Sequence, residues 1–523
     1  MRDHNSLTQV MGASYDALFR DFSALSGHSF ERDIRRIRSF PDHAGLLLYL
    51  RKHELVLLEF FRTGKIVCNN VKNDGSVPVF LQPLWVDMLS ELKSVRVLAA
   101  SLLRQAMALW KKASLSISPE ADFKKFKERQ TPVRQTSYVW LKVCDEIASR
   151  LGRWFSDLNP DDLLPFVSSG ATYAKTPLLD RPEKAERLSV HGYAYKPRGI
   201  SLVESPSLNR AVAVPKDFSK VRIVFVEQSP RMQVQQSLRL WLESQVESCP
   251  LARRISFQNQ EFQRRSLRLP RRSSIDLSDA SDYVTSSLVW RCLRHLPILR
   301  SALFGSRSRM CECDGEVLPL RSYSTMGNAT TFTVMSIILA TLLDVCEDDF
   351  RSYAKTRVRT GTVFGDDIVC DDVIAGTVLD RLRLLGLKPN VHKTFISGPF
   401  RESCGLDLFE DIDVTPTSLK RWKSDTPEDI VAQVSYSNAL WRKGFWNLAN
   451  YISNREDVPV NTSSDDTSYV SFSKGHAGRS SVWIADEQRY VWALRARRER
   501  YRERDNVCHL DYALLHGRLR EKR

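Results

Sequence analysis

Two adjacent carboxylates lie between two short apolar runs in the middle of the chain. Residues 362–364 and 368–370 flank Gly365-Asp366-Asp367, and short β-type runs around a glycine turn predict a β-hairpin. Two anions on so tight a turn repel each other, and a divalent cation would offset that repulsion because Mg²⁺ prefers carboxylate oxygens. As a bare tripeptide, however, Gly-Asp-Asp is also a common surface turn.

A third acid stands near the end of another strand candidate. Residues 274–277 read Ser-Ile-Asp-Leu and predict a short strand, with Asp276 at its end. With a carboxylate from a second strand, the Gly-Asp-Asp turn could hold two Mg²⁺ ions about 3.5–4 Å apart, as in-line displacement at phosphorus requires.

The residues between these acids show helical periodicity. One predicted helix, which Asp282 would cap, has a defined apolar face: Val284, Leu288, Cys292 and Leu296. A second predicted helix has apolar residues three and four apart: Phe332, Met335, Leu339, Leu342 and Cys346. A third is predicted over 373–385 with a stop at Gly386, followed by a strand over 394–396. The order of elements predicts an α+β fold built on a split βαβ antiparallel sheet with helices.

Outside these segments, the sequence predicts secondary structure only in broad terms. Apolar stripes at 46–50, 55–61 and 95–110 predict that the first 160 residues are largely helical. Residues 160–215 contain much of the Pro and Gly and are expected to be irregular, and the polar stretch 461–481 is expected to be a surface loop.

The composition indicates which kinds of partner and which location to expect for the chain. The 523 residues contain 77 Lys and Arg against 62 Asp and Glu, a net charge of +15, which favours a polyanionic partner. The most apolar run, 334–345, contains an Asp and is too short to span a membrane. The N-terminus has no apolar segment typical of a signal peptide, so a cytoplasmic location is expected. Ten cysteines are too sparse for a disulfide framework.

Basic side chains cluster in three places. Five arginines flank the strand that leads to Asp276: Arg264, Arg265, Arg268, Arg271 and Arg272. Four more lie near the N-terminus: Arg32, Arg35, Arg36 and Arg38. The last thirty residues are also rich in arginine, but there the arginines alternate with acids, as on a salt-bridged helix face. Contact with polyphosphate is best supported for the cluster before Asp276.

Five segments, in this order, carry a resemblance to a known family: DLSDASD (276–282), STMGN (324–328), FGDD (364–367), NVHKTF (390–395) and GPFRESCG (398–405). They resemble the palm motifs of the RNA-directed RNA polymerase (replicase β subunit) of levivirus-type RNA bacteriophages. The resemblance covers residues 214–416 and is faint outside them. It implies a right-hand polymerase, with a mainly helical N-terminal and fingers region at 1–225, a palm at 226–410 whose fingers-side basic segment is about 250–272, and a thumb and C-terminal region at 411–523.

The resemblance also implies a metal site. Asp276 and Asp366 would be the main ligands of two Mg²⁺ ions, for which Mn²⁺ could substitute. Asp367 would lie beside them as a weaker or alternate ligand, and the backbone carbonyl of Leu277 could also face a metal. Lys393 would be the general acid that protonates the pyrophosphate leaving group, with a solvated lysine as the alternative.

The same resemblance implies a nucleotide site. Asn328 would hydrogen-bond the ribose 2′-hydroxyl together with an acid after the first strand. We take that acid as Asp282, with Ser281 and Asp279 as other registers and helix capping as the alternative role of both acids. Gly327 would let the backbone approach the template or the nascent base pair closely.

The segment 214–222 resembles the strand of the family's fingers region that lines the nucleotide channel. In it, Lys216, Lys220 and Arg222 would bind the triphosphate, because their charges compensate the approaching polyanion. A solvated surface strand is the alternative. In the turn that follows Lys393, Arg401 is expected either to contact backbone phosphate or to pair with Glu402.

The implied function is replication of a single-stranded RNA phage genome, with RNA synthesised from NTPs on an RNA template and initiated without a primer. A reverse transcriptase-like enzyme is less favoured, because residues 277–282 contain no bulky aromatic side chain that would exclude a 2′-hydroxyl. A non-catalytic RNA-binding subunit would explain the charge but not the three acids. By resemblance, the partners are template RNA and possible host proteins (translation elongation factors Tu and Ts and a ribosomal small-subunit protein), in the host bacterial cytoplasm.

Overall fold

The computed structural model describes most of the chain up to residue 453. The described residues are 7–113, 118–131, 137–163, 171–173, 193–196, 199–202, 207–355, 357–420, 422, 427–453, 481–484 and 489–492. The expected surface loop at 461–481, apart from its last residue, and the arginine-rich last thirty residues lie outside this part of the chain.

Seven α-helices are described before the first strand, and they confirm the prediction of a largely helical first 160 residues. They are α1 (Leu7–Ser26), α2 (Glu31–Arg38), α3 (His43–Thr63), α4 (Gln82–Asp87), α5 (Lys93–Ala108), α6 (Glu120–Arg129) and α7 (Tyr138–Trp154). The boundaries of α3 have a local cause. Its N-cap Asp42 accepts a hydrogen bond from the amide of Gly45, and its C-cap Gly64 adopts the left-handed conformation that ends helices, with φ 71°.

The segment 160–215, expected to be irregular, contains strands. Two hairpins occupy its described part and the residues just after it: β1 (Tyr193–Lys196) with β2 (Gly199–Leu202), and β3 (Leu208–Pro215) with β4 (Val221–Val226). The expectation was wrong for these residues because backbone pairing, which composition does not show, fixes their extended conformation. A four-stranded sheet has the order β4-β3-β6-β7, where β6 is Met310–Cys313 and β7 is Glu316–Pro319.

The central sheet is three-stranded and antiparallel, with the order β5-β9-β8. Its strands are β5 (Arg272–Ile275), β8 (Thr362–Phe364) and β9 (Asp367–Asp371). A further antiparallel sheet contains β10 (Phe400–Ser403), β11 (Leu406–Phe409) and β12 (Ile412–Asp413), and a last hairpin pairs β13 (Ser481–Ile484) with β14 (Arg489–Trp492).

Nine further helices are described after β4. They are α8 (Ser229–Glu247), α9 (Gln260–Leu267), α10 (Ala280–Tyr283), α11 (Ser286–Cys292), α12 (Pro297–Ser306), α13 (Thr331–Ala354), α14 (Ala375–Leu384), α15 (Pro427–Arg442) and α16 (Trp446–Ser453). Short 3-10 helices occur at Pro160–Asp162, Pro250–Arg253 and Asp372–Ile374. Helices therefore combine with sheets whose described strand pairs are antiparallel, except for the parallel β3–β6 pair, and the predicted α+β class is confirmed.

Most elements predicted around the acids are confirmed, with shifted ends. The hairpin forms as β8 and β9, α13 contains the second predicted helix, and α14 ends just before Gly386, whose φ is 83°. The predicted cap Asp282 is wrong, because the first long helix here, α11, begins after Thr285, whose hydroxyl accepts from the amide of Leu288. The predicted last strand is an isolated bridge between Ser274 and Phe395.

Two large hydrophobic cores hold these elements. One contains β5, β8 and β9 together with α7, α8, α11, α13 and α14. The other contains the N-terminal helices α1, α3 and α5, and it also takes in residues far along the chain, such as Phe400, Phe409 and Leu448. The ring of Phe61 stacks on Phe400 at 4.2 Å between centroids. The N-terminal helices are thus packed against β10 and β11. No helix in the described part of the chain is long and apolar enough to cross a membrane.

A buried ion network joins the same elements. The guanidinium of Arg104 in α5, 5% exposed, donates from Nε to Oδ2 of Asp407 in β11 at 2.9 Å. Its Nη1 lies 3.5 Å from Oε1 of Glu54 in α3, which is also 2.6 Å from Nζ of Lys111. Such charges stay ionised in a buried place only if each keeps its partners.

We expect Asp407→Asn to lower the free energy of unfolding by about 3 kcal/mol, because it leaves the buried charge of Arg104 undercompensated. Urea denaturation measures this change in the free energy of unfolding, which is read from the first unfolding transition. The control Asp380→Asn removes an exposed carboxylate, 80% accessible, that pairs with Arg383 on the surface of α14. It should change the stability by less than about 1 kcal/mol, and equal effects of both variants would contradict the role of the buried network.

Candidate active site

The strand pairing of the central sheet brings the three predicted acids to one end of it. Phe364 pairs with Asp367 across the β8–β9 hairpin, so Gly365 and Asp366 form its two-residue turn. In the β5–β9 pair, Ile275 lies opposite Ile368. The next position in this antiparallel register sets Asp276 against Asp367, on the same face. Acids that are ninety residues apart in the sequence therefore converge, as predicted.

Backbone and amide donors hold two of these carboxylates. Oδ2 of Asp276 accepts from the side-chain amide of Asn390 at 2.9 Å, and the backbone amide of Asn390 donates to the carbonyl of Asp276 at 2.8 Å. Oδ2 of Asp367 accepts from the backbone amide of Cys404 at 2.9 Å, and Gln263 donates to the carbonyl of Asp367 at 3.2 Å. The sequence analysis missed these roles. Asn390 and Cys404 lie within quoted motifs, whereas Gln263 has no motif that could have revealed it.

Burial and mutual repulsion disfavour ionisation of the cluster. The pKa of Asp276 is raised to about 6, chiefly by burial; the charge of Lys393 opposes this rise and the charge of Asp366 adds to it. Burial likewise raises the pKa of Asp367 to about 7, with the charges of Asp366 and Asp276 acting in the same direction. Three carboxylates in electrostatic contact are therefore an unstable set of charges unless a cation joins them.

The donor set fits a hard divalent cation. The side-chain donors of Asp276, Asp366 and Asp367 are all carboxylate oxygens, which suit Mg²⁺ or Mn²⁺ and not a thiolate-seeking metal. Within the described residues, however, no three His, Cys, Asp or Glu side chains are already close enough to form a closed metal site. Leu277, whose carbonyl was the further predicted ligand, is buried and forms a backbone bridge with Pro389.

Lys393 extends the charge cluster. Its Nζ lies 3.3 Å from Oε1 of Glu402 in β10. The charge of Glu402, and more weakly those of Asp276 and Asp367, raises the pKa of Lys393, so its ammonium stays protonated at neutral pH. Burial acts to raise the pKa of Glu402, but the positive charges of Lys393 and Arg104 outweigh it and lower the pKa. The side chain of Lys393 is 38% exposed and has a carboxylate partner, and its role as a general acid stays a prediction.

Of the two roles left open for Arg401, pairing with Glu402 is not observed. The guanidinium of Arg401 pairs instead with Asp411, which follows β11. Glu402 is left to Lys393.

The Gly-Asp-Asp turn rests on helix α13. The amide of Gly365 donates to the hydroxyl of Ser336 at 3.1 Å, and Gly365 has φ 65°. A Cβ at this position would lie 2.6 Å from Cε2 of Phe332, whose ring meets that of Phe364 edge-on at 5.0 Å. Glycine is required here both by the left-handed backbone and by the close approach of the helix.

Asn328 and Asp282 lie on different supports. Asn328 is buried, and its Oδ1 accepts from the amide and the hydroxyl of Thr330. Its Nδ2 is buried and has no hydrogen-bond partner among the described residues, so it has donors left for a ligand. Asp282 accepts from Nε of Arg129 in α6 at 2.8 Å, and burial raises its pKa to about 6.

Arg129 was missed by the sequence analysis and also lies 3.4 Å from Asp279. Asp279 occupies the N-cap position of α10, but its side chain makes no capping hydrogen bond. The carboxylate of Asp282 is committed to Arg129, and no described hydrogen bond links it to Asn328. The predicted pairing of Asp282 with Asn328 around the ribose stays untested.

Gly327 approaches protein backbone, not open space. It has φ 120°, and a Cβ there would lie 2.0 Å from the carbonyl oxygen of Phe225 in β4. Next to it, the amide of Phe225 donates to the carbonyl of Met326 at 2.7 Å. This close approach docks β4 on the STMGN loop, and the predicted approach of Gly327 to a template or nascent base pair stays a prediction.

The predicted triphosphate ligands lie on the β3–β4 hairpin. Lys216, Lys220 and Arg222 are all exposed, and the amide of Lys216 donates to the carbonyl of Lys220 at 3.1 Å. Within the described residues, no hydrogen bond or ion pair joins these side chains to the carboxylates. The hairpin reaches the site through the contact between Phe225 and Met326, which leaves the three cations free for an anionic ligand.

Comparison with known proteins agrees with this site. Residues 193–443 match the family model of the RNA replicase beta-chain, slightly less than half of the chain. The resemblance predicted from the motifs is therefore confirmed for this region, which contains the three acids, Lys393 and the two loops around Gly327 and Gly365.

Curated relatives match over the same region. The RNA-directed RNA polymerase beta chain of Enterobacteria phage fr is 34% identical over 215 residues, which are 41% of this chain and 38% of that protein. The beta chain of Escherichia phage MS2 is 33% identical over 213 residues, again 41% and 38%. The corresponding subunit beta of Escherichia virus Qbeta is 30% identical over 234 residues, 44% and 38%. The chain thus covers less than two fifths of the length of these relatives.

The chain is also similar, at low sequence identity, to solved structures of RNA-dependent RNA polymerases. The RNA-dependent RNA polymerase of a human picorbirnavirus has a TM-score of 0.46 and 13% identity, covering 80% of this chain and 88% of that chain. The BmCPV RNA-dependent RNA polymerase at its elongation state has a TM-score of 0.44 and 11% identity, covering 85% and 47%.

We expect Gly327→Ala to separate the STMGN loop from β4, because the new methyl group would overlap the carbonyl of Phe225. Nucleotide addition by the variant should fall at least about tenfold, as displacement of a positioning loop by about 1 Å commonly causes larger losses. The measurement is the rate of single-nucleotide addition on a preformed template complex. Gly376→Ala is the control: Gly376 has no atom within 4 Å of its added Cβ, and this variant should be fully active.

Proposed function

We propose that the chain is an RNA-directed RNA polymerase that replicates a single-stranded RNA phage genome from NTPs, by two-metal nucleotidyl transfer and with primer-independent initiation. The observation that carries this proposal is the convergence of Asp276, Asp366 and Asp367 at one end of the β5-β9-β8 sheet, within a region that matches the replicase beta-chain model. Primer-independent initiation is supported by the family resemblance alone.

The three carboxylates would hold Mg²⁺, or Mn²⁺ in its place. Two bound ions would supply a lowered pKa for the attacking 3′-hydroxyl and charge neutralisation for the leaving pyrophosphate. The carboxylates of Asp276 and Asp367 are kept in place by Asn390 and Cys404, so the side chains need little reorganisation when substrate arrives. This arrangement positions the reacting groups, which is the main task in phosphoryl transfer.

Lys393 is suited to proton transfer to the leaving group. Its ammonium is held protonated by Glu402 beside the same carboxylates that would face the triphosphate. A protonated group next to the departing pyrophosphate can donate a proton as negative charge builds on the bridging oxygen. Lys216, Lys220 and Arg222, exposed on the β3–β4 hairpin, would neutralise the triphosphate as it enters.

Selection of ribose is assigned to Asn328. Its unpartnered Nδ2–H group could donate to a 2′-hydroxyl, and a deoxynucleotide would leave that buried donor without an acceptor. This supports RNA synthesis over the reverse-transcriptase alternative. Template RNA and NTPs are the substrates of the proposed reaction, and host elongation factors Tu and Ts and a ribosomal small-subunit protein remain proposed partners, by resemblance only.

We expect Asp276→Asn and Asp366→Asn each to abolish incorporation of labelled NTPs on an RNA template, while binding of that RNA changes less than about twofold. The asparagines keep the shape of the side chains but remove the charge that would hold a divalent cation. Asp372→Asn, at the other end of β9, is the charge-matched control and should retain activity. Full activity of either active-site variant would rule out the proposed chemistry, and incorporation of dNTPs by the unmodified protein would favour the reverse-transcriptase alternative.

We expect Lys393→Leu to slow single-nucleotide addition on the order of ten- to a thousandfold, the range that general acid catalysis usually contributes. The maximal rate should fall while the affinity for template RNA is kept, since Glu402 still faces Arg104. Lys388→Leu, an exposed lysine of the same segment, is the control and should leave the rate unchanged. An unchanged rate in the Lys393 variant would remove the general-acid role.

A further inference from the structure

A second basic site lies at the opposite end of the central sheet from the three acids. An open cavity of about 810 Å³ is lined there by Arg271, Arg272, Arg351, Arg357 and Arg359, with Asp371 as the lining carboxylate. In the strand register, Arg272 lies opposite Asp371 at the end of the β5–β9 pair that is farthest from the acids. At about 3.3 Å per residue, Arg272 lies about 13 Å along the strand from Asp276, so this cavity is separate from the active site.

Two of the lining arginines, Arg357 and Arg359, have no ion pair among the described residues. Arg271 pairs with Asp372, and Arg351 pairs with Glu347 and Asp348. The exposed side chain of Arg357 has no ion pair among the described residues. Within the described part of the chain, the guanidinium of Arg359 donates only to the carbonyl of Pro270. The cavity therefore has a positive excess that its own residues do not balance.

Arg272 shows that the site is incomplete. It is 4% exposed, and two of its nitrogens donate to the carbonyls of Arg359 and Thr360 at 3.4 and 2.9 Å. Its Nε–H is buried and has no acceptor in the described part of the chain. Burial lowers the pKa of Arg272, which means that its charge carries a desolvation cost that an anion in the cavity would offset. A buried donor without a partner calls for a ligand.

We propose that this cavity binds backbone phosphates of an RNA strand as it passes outside the active site. Arginine is the side chain that best matches phosphate, because its planar fork donates two hydrogen bonds at once. The lining contains no aromatic side chain on which a base could stack, so recognition is of the backbone and independent of sequence. Three of the lining residues, Arg351, Arg357 and Arg359, lie outside the basic cluster that the sequence analysis singled out. The identification of the anion as RNA rests on the proposed function.

The test compares RNA binding by Arg357→Gln/Arg359→Gln with that of the unmodified protein. Both side chains are exposed, so the variant should fold normally. The matched control, Arg32→Gln/Arg35→Gln, removes the same charge from exposed positions on α2. Fluorescence anisotropy with a short single-stranded RNA, measured over a range of salt concentrations, gives the affinity and its salt dependence.

The variant should bind RNA about tenfold more weakly than the control does. The slope of log K against log salt should become shallower by about 1.4, because two phosphate contacts are lost from a single strand. The loss should be the same for RNAs of different sequence. Equal affinities and slopes for variant and control would overturn the proposal. So would weakened binding of metal-free ATP with RNA binding intact, because that result assigns the cavity to a free nucleotide.

Nucleotide addition on a saturating preformed template separates this inference from the proposed function. The arginine variant should add nucleotides at the normal rate, since it leaves the carboxylates untouched. If the unmodified protein added no nucleotide, the proposed function would fail, but the binding comparison would still decide whether the cavity holds RNA.

Discussion

The register of the β5–β9 pair is the constraint on which the site depends. A shift of one residue would turn Asp276 to the other face of the sheet and break the cluster with Asp367. The apolar residues next to the acids, Ile275 before Asp276 and Ile368 after Asp367, are both buried and fix this register through the core. The sheet therefore uses hydrophobic burial to force like charges together at its end, an arrangement that electrostatics alone would oppose.

The cost of that arrangement is shared with distant parts of the chain. Lys393 offsets the acids directly, Glu402 holds Lys393, and the charge of Glu402 is in turn balanced by Arg104 on α5. Arg104 is itself paired with Asp407 and Glu54, so the chain of charges ends in the N-terminal helices. These helices lie outside the region that matches the replicase beta-chain model, yet they carry countercharges of its site. Their packing on Phe400 and Phe409 shows that the matched region is not closed on itself.

The sequence predicted the acids and most elements around them because each has a local pattern. Helix α13 has apolar residues three and four apart, the β8–β9 hairpin has a glycine turn, and each motif of the family is a short uninterrupted stretch of sequence. Partners that lie outside these motifs could not be found in this way. Gln263, Arg129 and Ser336 reach the site through tertiary packing, and nothing in their own neighbourhoods marks them. The choice of Asp282 as a helix cap failed for a related reason, since Thr285 competes for the same role and the pattern of apolar residues fits either start.

Gly327 shows how the fold links β4 to the loop that precedes helix α13. Its missing side chain lets β4 lie against the STMGN loop, and β4 continues into the hairpin that carries Lys216, Lys220 and Arg222. The next residue in the same loop is Asn328, whose side-chain Nδ2 is buried and has no hydrogen-bond partner among the described residues. The residues assigned to the triphosphate and the residue assigned to the ribose are therefore tied together by one backbone contact. A displacement of the hairpin would strain the hydrogen bond from the amide of Phe225 to the carbonyl of Met326, and with it the loop that holds Asn328.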